Sequence, residues 1–450
     1  MSETTEPTPA PPAPAGPPDP AVLLRDPQYV VLLLFGALVG APIAFVAYFY
    51  LRFVSQAQTY VFTTLPKELG FSGTPAWWPI LPLALGGLLV ALALELLPGT
   101  GGHKPAEGFK AGGGNDPINL PGIIAASLAT LCFGAVLGPE APLIAIGGGL
   151  GILALHFVKK DAPPMAAVVI GGAGSFAAIA TLLGSPLTAA FLLMEAIGVG
   201  GPLLGVLLVP GLLAAGVGAL IFVGLDAWTG FGTFSLSISH IPSFGSPTVG
   251  EFCWAIVIGV AAALIGTVIK RGALLLQPIV EKKKVLLTPL VGIAVALFVI
   301  LFTQVTGKAS SYVLFSGQSA LPTLIHHAAL FSAGALVLLV LCKAAAYSLS
   351  LSSFRGGPVF PGLFIGATLG IAFSHLPGLP MVAGAGIGIG AMTVAMLGLP
   401  LVSVLLAALV LSADGVQLVP LIIVAVVVSY VLSARLAPLP ASAPAPAPAT

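Results

Sequence analysis

Long stretches of this chain contain no aspartate, glutamate, lysine or arginine: residues 117–139, 162–194, 196–225, 310–342 and 356–413. Such runs cannot make a water-facing surface, because a soluble domain carries charge on about a quarter of its residues. Here 7% of the 450 residues are charged and 58% are hydrophobic. The last run alone would supply more than two membrane spans at roughly 20 residues each. In hydrocarbon every backbone N–H and C=O must be paired within the protein, which leaves helices or a closed barrel. The apolar runs are continuous rather than alternating, which argues against a barrel. The expected fold is therefore an all-α multi-pass membrane protein. Its 56 glycines and 41 prolines imply helices that are tilted, broken and closely packed rather than plain rods.

Residues 1–24 and 437–450 are Pro-rich and read as disordered tails, the first without the basic start of a signal peptide. Between them, 25–436 reads as one membrane domain with halves at about 29–225 and 250–434. Helical segments are expected near 29–62, 77–97, 117–137, 141–158, 165–182, 186–197 and 202–225. The second half offers 250–280, 287–305, 328–351, 360–375, 380–396, 400–411 and 417–434. Several are too short to span alone and read as half-helices meeting inside the membrane. Trp77 and Trp78 suit an interfacial belt.

The halves share a pattern. Residues 138–151 (GPEAPLIAIGGGLG) and 357–370 (GPVFPGLFIGATLG) both fit G-x-x-x-P-x-x-x-I-G-x-x-L-G, 219 positions apart. A second block repeats at an offset of 214: Gly172, Gly174, Leu183, Gly184, Pro186 and Leu187 answer to Gly386, Gly388, Leu397, Gly398, Pro400 and Leu401. Paired breaks at corresponding places in two hydrophobic halves point to a transporter's binding site. The cluster Lys282, Lys283 and Lys284 belongs in the cytoplasm by the positive-inside rule. An inverted second half then places the 98–116 loop on the same side and both termini in the cytoplasm, with the plasma membrane as the location.

Glu140 follows 23 uncharged residues and opens an apolar helix. Intramembrane acids are costly and mark ion or proton pathways, while a helix N-terminus attracts anions through its free N–H groups and dipole. A carboxylate there can occupy an anion site itself and vacate it on protonation, which makes a gate; the alternative is a cap on its own helix. In the second copy the N–H groups of Val359 and Phe360 face the pathway, whereas Pro358 and Pro361 cannot donate. Arg355 either supplies positive potential to a vestibule or snorkels to the interface. Glu195 is either a proton relay or a helix-end residue, and Lys343 needs a partner or polar cavity. The six histidines and three cysteines show no metal-ligand spacing beyond the adjacent pair His326 and His327, a weak signal. No catalytic motif is present, so no enzyme, cofactor or metal is expected. The net charge of +1 implies no nucleic-acid partner.

These residues resemble the CLC family of chloride channels and proton-coupled anion transporters. GPEAP at 138–142 is similar to that family's G-(K/R)-E-G-P, and GGPVFP at 356–361 to its G-G-x-F-x-P region; the match looks nearest to a divergent bacterial branch of ion-transport proteins. The resemblance covers about residues 29–434 and implies an inverted repeat, a homodimer with one pore per subunit, and chloride as substrate. It implies that Glu140 is the gate and that Gly138, Pro139, Ala141, Pro142, Gly356, Gly357, Pro358, Val359, Phe360 and Pro361 line the anion site. The family's pore serine aligns on Gly102, with Thr100 as the nearest hydroxyl. Of the acidic pair carried by many proton-coupled members, Glu195 remains and Ala196 stands at the inner position. The C-terminal helix with the pore tyrosine looks missing, since Tyr430 comes too early. These departures favour passive anion flow gated by Glu140. A coupled exchanger and a fluoride- or nitrate-selective transporter are the alternatives within this class. An intramembrane enzyme or a non-transporting scaffold is the alternative outside it.

Overall fold

The computed structural model describes residues 22, 25–110, 116–198, 202–230, 236–239 and 241–437. The tails expected at 1–24 and 437–450 lie outside these, apart from residues 22 and 437. Among the described residues the secondary structure is helical, and the first half holds seven helices. These are α1 (Pro27–Thr59, running on through a π turn and Leu65–Glu68), α2 (Ile80–Leu96), α3 (Leu120–Cys132), α4 (Glu140–Val158), α5 (Pro164–Leu183), α6 (Pro186–Ile197) and α7 (Pro202–Thr229). The second half holds α8 (Val249–Lys282), α9 (Lys284–Thr306), the short α10 (Ala320–His326), α11 (Ala333–Ser353), α12 (Val359–Phe373), α13 (Met381–Leu397), α14 (Pro400–Val410) and α15 (Ser412–Leu436). Among the described residues eight helices are long and apolar enough to cross a membrane, and others are shorter. The ends follow local chemistry. Asp26 accepts from Gln28 N–H at 2.8 Å to cap α1, with Pro27 at its first position.

The packing repeats itself. The contacts α1·α7, α1·α5, α2·α3, α3·α4, α4·α5, α5·α6, α5·α7 and α6·α7 have counterparts in α8·α15, α8·α13, α9·α11, α11·α12, α12·α13, α13·α14, α13·α15 and α14·α15. Two contacts that cross between the halves, α2·α9 and α6·α14, join counterparts to each other. A contact between equivalent elements must lie on the pseudo-two-fold axis, so the axis runs through both.

The repeated glycines explain the tight pairs. A Cβ on Gly147 or Gly174 would run into the other's backbone carbonyl where α4 crosses α5. Gly366 and Gly388 stand in the same relation where α12 crosses α13. Gly184 and Gly398 end α5 and α13 in the left-handed conformation, at φ 64° and 71°. Gly174→Val is expected to destabilise the protein by at least about 1–3 kcal/mol through overpacking. Gly172→Val, which points into open space, should shift far less. Thermal unfolding in detergent compares the two; equal midpoints would remove the close-packing explanation.

The structure corrects several boundaries. The helix expected over 117–137 stops at Cys132, because residues 133–139 leave it to reach the second half. Trp78 is buried and donates its indole N–H to Val61 O at 3.0 Å; only Trp77 is exposed as a belt residue would be. The end of α2, the 98–116 loop and the basic turn meet on one face, through Lys104–Glu281 at 2.7 Å and Lys284–Glu95 at 3.4 Å. This shared side is called the basic face below.

Candidate functional site

The two copies of the motif touch each other at equivalent residues. Gly138 N–H donates to Gly357 O at 2.8 Å and Gly357 N–H to Gly138 O at 2.6 Å. A reciprocal pair between equivalent positions sits on the pseudo-two-fold axis, so the loops that start α4 and α12 cross at the centre of the molecule. Each loop is pinned by a hydroxyl from the other half. Val136 N–H donates to Ser350 Oγ, and Arg355 N–H donates to Thr130 Oγ1, both at 3.0 Å. Two helix N-termini with their free N–H groups are thereby brought together in a site closed to water.

Glu140 occupies that point. It is fully buried, and its Oε1 accepts from the N–H of Phe360, in the first turn of α12, at 2.8 Å. Its Oε2 has no hydrogen-bond partner among the described residues. A Cβ on Gly138 or Gly357 would collide with this carboxylate, so both positions need glycine for the backbone to come close enough. Glu140 therefore bonds across the axis to the opposite helix, which is more than a cap on its own. Pro142 and Pro361 stand at the third positions of α4 and α12, where their missing N–H would be an orphan anyway. Val359 and Phe360 are buried in the wall.

A cavity of about 920 Å³ descends to Leu137 and Pro139 from the face opposite the basic one. Gln58, Thr59, Ser310, Ser316 and Gln318 line it, together with Lys308, and no carboxylate does among the described residues. Hydroxyls, amides and an ammonium suit a hydrated anion better than a cation.

Tyr347 and Lys343 complete the wall, both fully buried on α11. The Tyr347 hydroxyl donates to Pro358 O at 2.9 Å, which fixes the entry to α12. The Lys343 ammonium donates to the carbonyls of Tyr312, Val313, Leu314 and Phe315 at 3.0–3.3 Å and lies 4.5 Å from the centre of the Phe364 ring. Its partner is thus a carbonyl cage rather than an acid, and the caged segment carries Leu314 and Phe315 of the cavity wall. Sequence reasoning passed over Tyr347. The signal was a polar stripe at helical spacing, Lys343, Tyr347 and Ser350, in an otherwise apolar helix.

Other candidates lie elsewhere. Glu195 accepts from Leu401 N–H at 3.0 Å and Val402 N–H at 2.8 Å, so it caps the N-terminus of α14 across the axis. Gly102 packs toward Ile123 in a left-handed turn with Gly99, Thr100 and Gly101. That turn reaches the second wall through Arg355, whose Nε donates to Thr100 O at 3.3 Å. Arg355 is only 7% exposed, which rules out snorkelling. Tyr430 is 42% exposed on α15, away from the core.

Residues 86–434 match the model of the family described as voltage gated chloride channel. YfeO of Escherichia fergusonii, whose name carries only an expected role in ion transport, is 27% identical over 360 residues, covering 79% of this chain and 82% of its own. YfeO of an Escherichia coli O6:H1 strain matches equally, at 27% over 359 residues. Among solved structures, a slow cyanobacterial Cl⁻/H⁺ antiporter superposes with a TM-score of 0.70 at 19% identity, covering 90% of this chain and 94% of that one. A CLC-type fluoride/proton antiporter gives 0.60 at 20% identity, covering 90% and 95%; at such identities the likeness is one of fold. The family match spans most of the chain and contains both walls of the site, so this protein belongs to the voltage gated chloride channel, or CLC, family of multi-span anion transporters and channels, not of enzymes.

Proposed function

We propose that this chain carries small monovalent anions, chloride among them, through a path gated by Glu140, and that the flow is passive. The observation that carries the reading is the buried Glu140 carboxylate bonded to Phe360 N–H where the two helix N-termini meet. Such a place attracts an anion, and here a tethered one occupies it. Protonation removes the charge that holds the carboxylate there, and a free anion then competes for the same N–H groups. The flanking positions Gly138, Pro139, Ala141, Pro142 and Gly356 to Pro361 form the backbone of this site. With the basic face in the cytoplasm of a plasma-membrane protein, the polar cavity opens outward, both termini lie inside, and two copies form a homodimer with one path each.

Passive flow is favoured by Glu195, whose two oxygens are both engaged in capping α14, and by Ala196 beside it. The second reading, proton-coupled exchange, draws on the antiporters that share the fold. Proteoliposomes separate the two. A chloride gradient is expected to drive chloride efflux without moving protons uphill; sustained proton transport against its own gradient would replace passive flow with exchange.

A further inference from the structure

Arg355 is a buried cation with no ion pair among the described residues. Its Nε donates to Thr100 O at 3.3 Å and its Nη1 to Phe354 O at 3.2 Å, both neutral carbonyls. It makes no ion pair with any described carboxylate. The acids facing it from the basic face are already committed. Glu107 pairs with Lys110, Glu281 pairs with Lys104, and Gln277 donates to both. Burying a charge is costly unless an opposite charge and hydrogen bonds compensate it. Two carbonyls satisfy two of the five guanidinium N–H groups. Nη2 donates to neither carbonyl, which leaves the end of the fork formed by Nη1 and Nη2 free.

The position of this free edge is set by the two loops. Arg355 lies two residues before Gly357, against which the Glu140 carboxylate rests, a span of at most about 7 Å of chain. The opposite contact, to Thr100, is on the basic-face loop. The guanidinium thus lies between the gate and that face, across Glu140 from the polar cavity. Its counterpart in the first half, 219 positions earlier, is Val136, so only one wall carries the charge. The turn at 99–102, where the resemblance places a hydroxyl ligand, supplies glycines and the Thr100 carbonyl that orients the arginine.

Resting on the reading of an anion path through Glu140, we infer that Arg355 is a specificity-determining residue that binds the transported anion through its free Nη1–Nη2 edge and favours small planar oxyanions, such as nitrate, over chloride. Two parallel N–H groups in one plane match two oxygens of a trigonal anion, whereas a spherical halide meets them without that directional fit. A lysine at this position would keep the charge and lose the fork.

The experiment measures the half-saturating concentrations of nitrate and chloride for anion flux in proteoliposomes. For the wild type, nitrate is expected to half-saturate at a concentration at least about threefold below that of chloride. Arg355→Lys should retain chloride half-saturation within about threefold and lose the nitrate preference. Arg355→Gln should raise both values by about ten- to hundredfold, the loss expected for charge-assisted hydrogen bonds. A wild type that takes nitrate no better than chloride overturns the inference without any variant having to fold. So does Arg355→Lys with its nitrate preference intact. Wild-type protein that conducts neither anion overturns the inference together with the anion path itself, whereas chloride flux lacking a nitrate preference leaves that path standing.

Discussion

Glu140→Gln is expected to conduct anions at neutral pH at the rate the wild type reaches only in acid, and to lose the pH dependence of that rate. When charged, the wild-type carboxylate holds the Phe360 N–H against a free anion. Lowering the pH protonates it, so wild-type flux should rise as pH falls. Glutamine keeps the shape and the acceptor oxygen but never carries the charge. A charge-assisted hydrogen bond is about twice as strong as a neutral one, and a difference of about 1.4 kcal/mol is tenfold in occupancy. The variant should therefore exceed the wild type by about tenfold at the alkaline end of the series, where the carboxylate carries its charge. Anion efflux from loaded liposomes across a pH series reads both quantities. A variant that keeps the wild-type pH profile, or equal flux at every pH, would remove Glu140 from the gate. A structural cap has no reason to give this result, since losing its charge would lower stability without opening a path.

The second large effect is expected at Lys343. Its ammonium is shared among four carbonyls of residues 312–315 and faces the Phe364 ring. Lys343→Met fills much of the same volume and leaves those carbonyls without their donor. An unmatched buried polar group costs about 1–3 kcal/mol, partly offset because the buried charge is gone too. Breaking a buried charged arrangement from one side typically costs ~3–5 kcal/mol, which should appear as a clearly lower unfolding midpoint in detergent. The loss should be local as well. Residues Leu314 and Phe315 form part of the cavity wall, so cysteine labelling of the 310–318 segment should speed up. An unchanged midpoint together with unchanged labelling would mean that the segment holds its shape without the cage.

The doubled motif was legible because the chemistry that requires it is local. A Gly/Pro-rich turn that starts an apolar helix has the same needs in each half, so the 219-residue offset survives as identical residues. Helix limits near Glu140, Pro186, Val359 and Met381 were equally readable, since proline and glycine mark them. The stop at Cys132 was not, because an apolar run continues past it; the loop leaves the helix only to meet Gly357. Tyr347 was missed for a related reason. The polar stripe with Lys343 and Ser350 marks a helix face but names no partner, and Pro358 O lies beyond the end of that helix. Arg355 stood open between vestibule and interface because a long side chain can reach either way.

The sequence by itself determined that this is a helical membrane protein with two related halves, broken helices and an acid at one of the breaks. Composition and spacing suffice for that, since the bilayer admits few alternatives. The tertiary structure decided what the acid meets. Glycines 138 and 357 pair across the axis, and Glu140 bonds to the helix of the opposite half. Lys343 finds carbonyls instead of a carboxylate, and Arg355 is left with a free edge. Those outcomes depend on contacts between residues about 30 to 255 positions apart in sequence. No window of local sequence contains both partners.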